Sequence, residues 1–315
     1  MKVLAGDIGG TNARLALVED GKILLEHIYP SGEFRDFSAL LQHFFAKTKL
    51  SVPGRACFGV AGVVKGSEAI GTNLPWKISA REIAQRFGFE KVCLINDFAA
   101  AALGILQLGS EWFEKIGPGK QEPGCNSAVL GPGTGLGEAV LVALDHKKYH
   151  VMATEGGHCD FAPNSPEEIE LLTFLQGKYG HVSYERIISG PGLADIYAFC
   201  AQEQGMEPLE VLSPVDISKA ALQGSNKAAE KALEIFCSVL GSEAGNLALK
   251  TLARGGVYIA GGIAPKIVSF LKKSPFRKSF EAKGRMENLL KSIPTYVVTN
   301  KDLGLLGAAA KALEL

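Results

Sequence analysis

The chain has 315 residues, which favours two domains over one, and its 47% hydrophobic and 21% charged residues exclude a largely disordered protein. Lys plus Arg and Asp plus Glu both number 33, so the formal net charge is zero. Neither nucleic acid nor an anionic membrane is therefore an expected partner. Any phosphate site must be local, built from backbone N–H groups and a metal ion.

Export signals and metal motifs are not expected from this sequence. Only four apolar residues separate Lys2 from Asp7, and no apolar run is expected to reach the length needed to cross a bilayer. The cysteines are widely spaced and form no CxxC pattern, which predicts free, mostly buried thiols. Together these features predict a cytoplasmic protein.

The first part of the chain predicts strands over 3–6, 13–19 and 23–29, joined by turns at 9–12 and 20–21. Short turns between consecutive strands indicate an antiparallel meander. A helix over 36–47, a strand over 56–60 and a short helix opened by Ser79 and Glu82 follow. A strand over 92–95 and a helix over 98–108 end this part.

The pattern then begins again, with strands over 127–130, 138–144 and 149–153 around a glycine-rich turn at 131–137. Helices are predicted over 166–176, 192–203, 216–222 and 227–252, strands over 257–260 and 295–298, and a last helix over 303–313. The repeat is one of element order, not of residues. It predicts an α/β protein with a small domain (1–108 plus about 302–315), a large domain (109–301) and a cleft between them.

The first glycine-rich turn carries chemistry beyond a hairpin. Glycines let a backbone approach a phosphate, and successive N–H groups form an anion-binding concavity. An acid before them suits Mg²⁺, because hard cations prefer oxygen ligands. A plain hairpin would explain the glycines alone. The candidate residues are Gly6, Asp7, Gly9, Gly10, Thr11 and Asn12.

The second glycine-rich turn contains Gly133, Thr134 and Gly135 at the equivalent place in the second half. Two such turns could hold a polyphosphate from both sides. No Gly-Lys pair is followed by Ser or Thr, so a P-loop is excluded, and the glycine spacing does not fit a dinucleotide fingerprint.

Asn96 and Asp97 stand where an apolar strand passes into a helix. A carboxylate at that edge of an α/β sheet can accept a proton from a substrate hydroxyl. A helix cap is the competing interpretation, and the two are compatible if Asn96 caps while Asp97 points outward.

Three further segments are candidates for ligand binding. Glu155 and His158 are separated by two glycines, which makes a metal-binding helix improbable and favours a loop that hydrogen-bonds a polyol. Taken alone, Glu185 is interpreted as an acid that is solvated or paired with an Arg. Gly261 and Gly262 end an apolar strand and give a flat backbone surface that could hold adenine or ribose.

Seven motifs in order resemble those of the bacterial glucokinases of the hexokinase/Hsp70/actin ATPase superfamily. They are Gly-Asp-Ile-Gly-Gly-Thr-Asn-Ala-Arg (6–14), Ile-Asn-Asp-Phe (95–98), Gly-Thr-Gly-Leu-Gly (133–137), Glu-Gly-Gly-His (155–158), Asp-Phe-Ala-Pro-Asn (160–164), Ser-Gly-Pro-Gly-Leu (189–193) and Ala-Gly-Gly-Ile (260–263). The resemblance implies two ribonuclease H-like domains with mixed sheets around a central cleft, and a homodimer that phosphorylates glucose with Mg-ATP.

The same resemblance implies roles for residues. Asp97 would be the catalytic base and Asp7 would serve Mg²⁺, while 6–12 and 133–135 would hold the ATP phosphates and Gly261-Gly262 would lie near the adenosine. Asn96, Glu155, His158 and Glu185 would contact glucose. The related ROK kinases and repressors carry a Cys-rich zinc loop, whereas only Cys159 stands here, so structural zinc is not expected.

Alternatives remain open at this point. The chain could phosphorylate another hexose, such as fructose or mannose, or use ADP or polyphosphate as donor. A protein of another class, a nucleotide-dependent regulator or actin-like assembly protein, would use the same fold without sugar chemistry.

Overall fold

The computed structural model describes residues 1–71, 76–146, 148–205 and 212–315. The strands are β1 (Lys2–Ile8), β2 (Asn12–Glu19), β3 (Lys22–Pro30), β4 (Arg55–Val60), β5 (Gly62–Lys65), β6 (Glu68–Gly71), β7 (Lys77–Ser79), β8 (Lys91–Asn96), β9 (Phe113–Lys115), β10 (Ser127–Pro132), β11 (Leu136–Ala143), β12 (Tyr149–Thr154), β13 (Val257–Ile259) and β14 (Thr295–Val298). The helices are α1 (Phe37–Thr48), α2 (Ala80–Phe87), α3 (Asp97–Ile105), α4 (Pro166–Tyr179), α5 (Gly190–Glu203), α6 (Pro214–Gln223), α7 (Lys227–Thr251), α8 (Val268–Leu271), α9 (Phe276–Glu281), α10 (Glu287–Ser292) and α11 (Leu303–Leu313).

The chain forms two compact units, and the first comprises Met1–Glu111 and Asn300–Leu315. Its main sheet has the order β3-β2-β1-β4-β8, with the β1–β2–β3 meander antiparallel and β1, β4 and β8 parallel. Because side chains alternate along a strand, Leu4 and Ile8 pack with α1 and α2, whereas Val3 and Ala5 pack with α11.

The second unit, Trp112–Thr299, contains a six-stranded sheet in the order β12-β11-β10-β13-β14-β9. Its first five strands repeat the order and strand directions of the first unit's sheet. Helices α4 to α10 share one hydrophobic cluster with the sheet, centred on the buried face of α7. The predicted repeat of element order is therefore confirmed at the level of each sheet.

Capping side chains begin several helices where the sequence predicts them. Asp36 accepts from Ala39 N–H at the start of α1, and Ser79 accepts from Glu82 N–H at the start of α2. The predicted mixed α/β class is confirmed. The small β5–β6–β7 sheet, the edge strand β9 and the short helices α8 to α10 were not predicted, because elements this short carry little hydrophobic periodicity.

The expectation that no apolar run reaches the length needed to cross a bilayer was wrong for α7. Among the described residues, α7 is long and apolar enough to meet the criteria for a bilayer-spanning helix. However, 78% of its most apolar window is buried inside the protein, as in the core helix of a globular domain.

Candidate active site

Two acids of the first unit lie at the carboxyl ends of parallel strands. Asp7 is the penultimate residue of β1, and Asp97 is the first residue of α3, directly after β8. The cap belongs to Asn96, whose Oδ1 accepts from the N–H groups of Phe98 and Ala99 at 3.0 Å each. Asp97 is half-buried and is not needed as the helix cap, as the sequence analysis had anticipated.

Asp7 occupies an enclosed position between charged neighbours. Burial and the negative charge of Asp97 raise the pKa of Asp7 to about 6, with Glu26 adding to the effect and Arg14 opposing it. A Cβ at Gly304 would lie 3.0 Å from the Asp7 carboxylate, so the glycine in the first turn of α11 leaves room for that group. Two neighbouring carboxylates repel each other when both are ionised. A divalent cation bound to their oxygen atoms would stabilise the doubly ionised form.

The first glycine-rich turn joins β1 to β2. Gly9 N–H donates to the carbonyl of Asn12 at 3.0 Å, while Thr11 and Asn12 are exposed. Ser31 anchors the turn from outside: its Oγ donates to Gly9 O at 2.8 Å, and its N–H donates to Thr11 O at 2.9 Å. The sequence analysis missed Ser31, because a single serine after a strand carries no distinguishing signal.

The second glycine-rich turn joins β10 to β11 and is tighter than predicted. Strand pairing continues from Gly131 opposite Gly137 to Pro132 opposite Leu136, so only 133–135 form the turn. Pro132 is therefore the last residue of β10 and precedes the turn. The N–H of Gly190 donates to Gly133 O at 2.8 Å, which ties the turn to the start of α5.

Three predicted sugar-binding residues of the second unit lie together. His158 Nε2 is 4.0 Å from Glu155 Oε2, and His158 Nδ1 is 3.9 Å from Glu185 Oε1. Glu155 and His158 are 71% and 61% exposed, whereas Glu185 is 29% exposed. The segment Gly156–His158 is one turn of 3₁₀-helix, a more ordered form than the predicted loop.

Glu185 also touches the second glycine-rich turn. Its Oε2 accepts from Leu136 N–H at 2.9 Å, and a Cβ at Gly135 would overlap the same oxygen. Gly135 is therefore required for the close approach of this carboxylate. Glu185 binds the turn and faces His158, in contrast to its interpretation in isolation as a solvated or Arg-paired acid.

Glu138 was not singled out by the sequence analysis. It lies on β11 with 2% of its surface exposed, and a Cβ at Gly156 would overlap its Oε2. Burial and the nearby Glu243 raise the pKa of Glu138 to about 8, with Lys250 opposing this shift. Its Oε1 has no hydrogen-bond partner within the described ranges. A buried acid thus lies directly against Gly156, between Glu155 and His158.

A cavity of about 500 Å³ in the second unit adjoins the same glycine-rich turn. Gly133 and Thr134 line one side, Gly262 and Ile263 another, and the lining is mainly apolar. Gly261 has a φ of +79°, and a Cβ there would overlap the carbonyl of Pro132. The conformation and the close packing both require glycine at this position.

The structure thus gathers the predicted residues into one group in each unit. Asp7, Asn96, Asp97 and the first turn lie at the carboxyl ends of β1 and β8, while Glu155, His158 and Glu185 lie beside the second turn. The carboxylates of the first set, beside a glycine-rich turn, are suited to metal-assisted phosphoryl transfer. The acids and the imidazole of the second set are suited to binding a polyol.

Comparison with known proteins agrees with this chemistry. A protein-family model described as Glucokinase matches residues 4–315. The glucokinase of Synechocystis sp. is 40% identical, with 99% of this chain and 98% of the relative covered. The glucokinase of Hahella chejuensis is 41% identical, with 97% and 95% covered.

Solved structures show the same fold. A glucokinase from an Antarctic psychrotroph has a TM-score of 0.88 and 37% identity, covering 100% of this chain and 99% of the other. A ROK family glucokinase from Streptomyces griseus has a TM-score of 0.69 at 21% identity, a likeness of fold alone, with 100% of both chains covered. With a family model and close relatives matched over nearly the whole sequence, this chain belongs to the glucokinase family.

Proposed function

We propose that this chain transfers the γ-phosphoryl group of ATP to the 6-hydroxyl of glucose, with Asp97 as the general base. The family match supports the overall reaction. The observation that carries the role of Asp97 is local: its half-buried carboxylate begins α3 at the carboxyl end of β8, while Asn96 supplies the cap. This edge of an α/β sheet is where a carboxylate can act on a bound substrate.

In this proposal Asp97 orients the sugar hydroxyl and accepts its proton as the oxygen attacks the γ-phosphorus. Water must be kept from the phosphorus, because it would compete as acceptor.

We assign recognition of the sugar to Asn96, Glu155, His158 and Glu185. Carboxylates accept and imidazole either donates or accepts hydrogen bonds, so the group can distinguish the hydroxyls of one hexose from those of another. The 3.9 Å and 4.0 Å separations from His158 to its two acids leave each side chain able to reach a bound hydroxyl.

We assign the phosphates of ATP to the two glycine-rich turns, 6–12 and 133–135, and the adenosine to the apolar cavity beside Gly261 and Gly262. Asp7 fits a role toward Mg²⁺, because a carboxylate with a raised pKa beside Asp97 gains from a neighbouring cation. The ion would offset phosphate charge in the transition state. The proposal also includes the ribonuclease H-like domain division, a homodimer and a cytoplasmic location, which the family resemblance implies.

The decisive test replaces Asp97 with Asn. Asp97→Asn preserves size and removes the base, so kcat should fall by about 1,000-fold or more while glucose affinity changes little. Asp36→Asn is the matched control, since Asp36 also begins a helix of the first unit and Asn caps equally well. The measurement is a coupled assay with glucose and Mg-ATP, extended to fructose, mannose, ADP and polyphosphate.

A variant that keeps a tenth of the wild-type kcat would remove Asp97 from this role. Higher kcat/KM with fructose or mannose than with glucose would overturn the assignment of the sugar. ATP hydrolysis without sugar turnover would favour the regulator or assembly protein.

A further inference from the structure

Two cysteines of the first unit face each other across neighbouring parallel strands. Cys57 on β4 is the register partner of Cys93 on β8. Adjacent strands lie about 4.8 Å apart, and a disulfide needs Cα atoms roughly 4.4–6.8 Å apart. Directly opposed residues of parallel strands also point to the same face, so the backbone already meets the distance requirement for a bond between these thiols.

The pair lies on the sheet face that α11 covers. Cys57 is fully buried in the cluster that includes Ala308 and Ala312, and Cys93 packs at the edge of the same cluster, partly exposed. The partial exposure of Cys93 gives a small oxidant access to one member of the pair.

The two thiols have different pKa values, so that one is more readily the nucleophilic thiolate and the other stays protonated. A hydrogen bond with the Cys57 thiol lowers the pKa of Cys93 to about 7, and Lys311 acts in the same direction against burial and Glu314. The same hydrogen bond, together with burial, raises the pKa of Cys57 well above its ordinary value. Cys93 is therefore the thiol that reacts first, and Cys57 is protected until its neighbour is oxidised.

We propose that Cys57 and Cys93 form a reversible intramolecular disulfide when the protein meets a peroxide, and that this bond lowers its kinase activity. The Cys93 thiolate attacks one peroxide oxygen, so that the O–O bond breaks, a sulfenic acid forms and hydroxide leaves. Cys57 then loses its proton and attacks the Cys93 sulfur, releasing water as the S–S bond forms. In sum, two thiols and one hydrogen peroxide give one disulfide and two waters.

The effect on activity follows from the connection between the pair and Asp97, and that part rests on the proposed function. Cys93 and Asp97 are four residues apart along β8 and its continuation. At the end of β4, a Cβ at Gly59 would lie 3.4 Å from the Cα of Asp97, so the backbones are already in close contact. The Cα distance already suits the bond, but its preferred dihedral angle of about 90° requires the two strands to adjust against each other. Misplacement by about 1 Å can cost a large factor in rate.

The disulfide itself is tested on the whole protein by mass spectrometry without reduction. Trypsin places the two cysteines in separate peptides, 56–65 and 92–115, each with one cysteine. After treatment with equimolar hydrogen peroxide, the linked pair should appear at the summed mass less two hydrogen atoms, and dithiothreitol should remove it. Cys93→Ser should abolish it, whereas Cys125→Ser, at a residue of similar partial exposure, should not. Oxidation of Cys93 without the linked peptide would overturn the proposal.

The activity assay compares treated with untreated protein for wild type and for Cys93→Ser. Both retain the exposed Cys159 beside His158, so oxidation there affects both equally. Wild type should lose activity by about tenfold and regain it with dithiothreitol, while Cys93→Ser should not show this reversible loss.

Linked peptide with unchanged activity would overturn the link to Asp97. If untreated protein fails to phosphorylate glucose, the proposed function fails, while the peptide map still decides the disulfide. Cys57→Ala provides a second variant should Cys93→Ser not fold.

Discussion

The two glycine-rich turns occupy equivalent places in their sheets but are held in different ways. The first, at 9–12, is anchored by Ser31, a residue that follows the neighbouring strand. The second, at 133–135, is anchored by Gly190 at the start of α5 and adjoins Glu185, which binds Leu136 N–H. The two sheets have the same strand order, but different local contacts hold their glycine-rich turns in place.

The difference has a functional meaning under the proposed assignments. A change in the first turn should affect the nucleotide alone, because Ser31 belongs to no sugar-binding group. A change in the second turn that displaces Glu185 should affect nucleotide and sugar together, because Glu185 contacts both the turn and His158. The second turn is therefore expected to couple the two ligands, and the first turn is not.

Among the variants that test the two turns, the largest effect is expected for Gly135→Ala. The new Cβ would overlap Glu185 Oε2 and displace the carboxylate from Leu136 and His158. We expect kcat/KM for glucose to fall by about 100-fold, as a displacement of this kind can cost. Steady-state kinetics with each substrate varied in turn would measure it.

Gly133→Ala is the matched control in the same turn, because the nearest atom to its Cβ would be Gly135 O at 4.0 Å. Its KM for glucose should stay at the wild-type value, whatever happens to the KM for ATP. Equal glucose KM values for the two alanine variants would contradict the coupling.

A smaller effect is expected from the pH dependence of Glu138. Its folded-state pKa of about 8 lies above the ordinary 4.5, so the unfolded chain loses this proton first and stability declines as pH rises between these values. Glu243 and Lys250 are charged groups that act on it. From about pH 6 to about pH 8, wild type should lose about 2 kcal/mol more of its unfolding free energy than Glu138→Gln.

Urea unfolding at both pH values would measure this difference. Glu170→Gln, at an exposed acid of α4, is the control and should follow wild type. Parallel curves for wild type and Glu138→Gln would show that Glu138 is ionised in the folded protein throughout this range.

The smallest effect is expected for Ser31→Ala in the first turn. The variant removes one hydrogen bond to Gly9 O at a fully buried side chain, which typically costs about 1 kcal/mol. KM for ATP should rise roughly threefold, and KM for glucose should not change. Ser67→Ala, in the same unit but outside the main sheet, serves as the comparison. A rise in glucose KM in Ser31→Ala would show that both turns are coupled to the sugar.

The sequence by itself determined the order of the main strands and the longer helices, the two glycine-rich turns and the position of Asn96 and Asp97 between strand and helix. These features are local: they follow from hydrophobic periodicity, from turn residues and from caps that act within four residues along the chain. The family motifs added the proposed roles of Glu155, His158 and Glu185, which periodicity alone could not give.

Only the tertiary structure decided which of these residues meet. The contacts of Glu185 with Leu136, of Glu138 with Gly156, of Ser31 with Gly9 and of Cys57 with Cys93 join residues 18 or more positions apart. Such pairs depend on strand register and on the absence of a side chain at particular glycines. Neither leaves a pattern in a single sequence, because register is fixed by packing across the whole sheet.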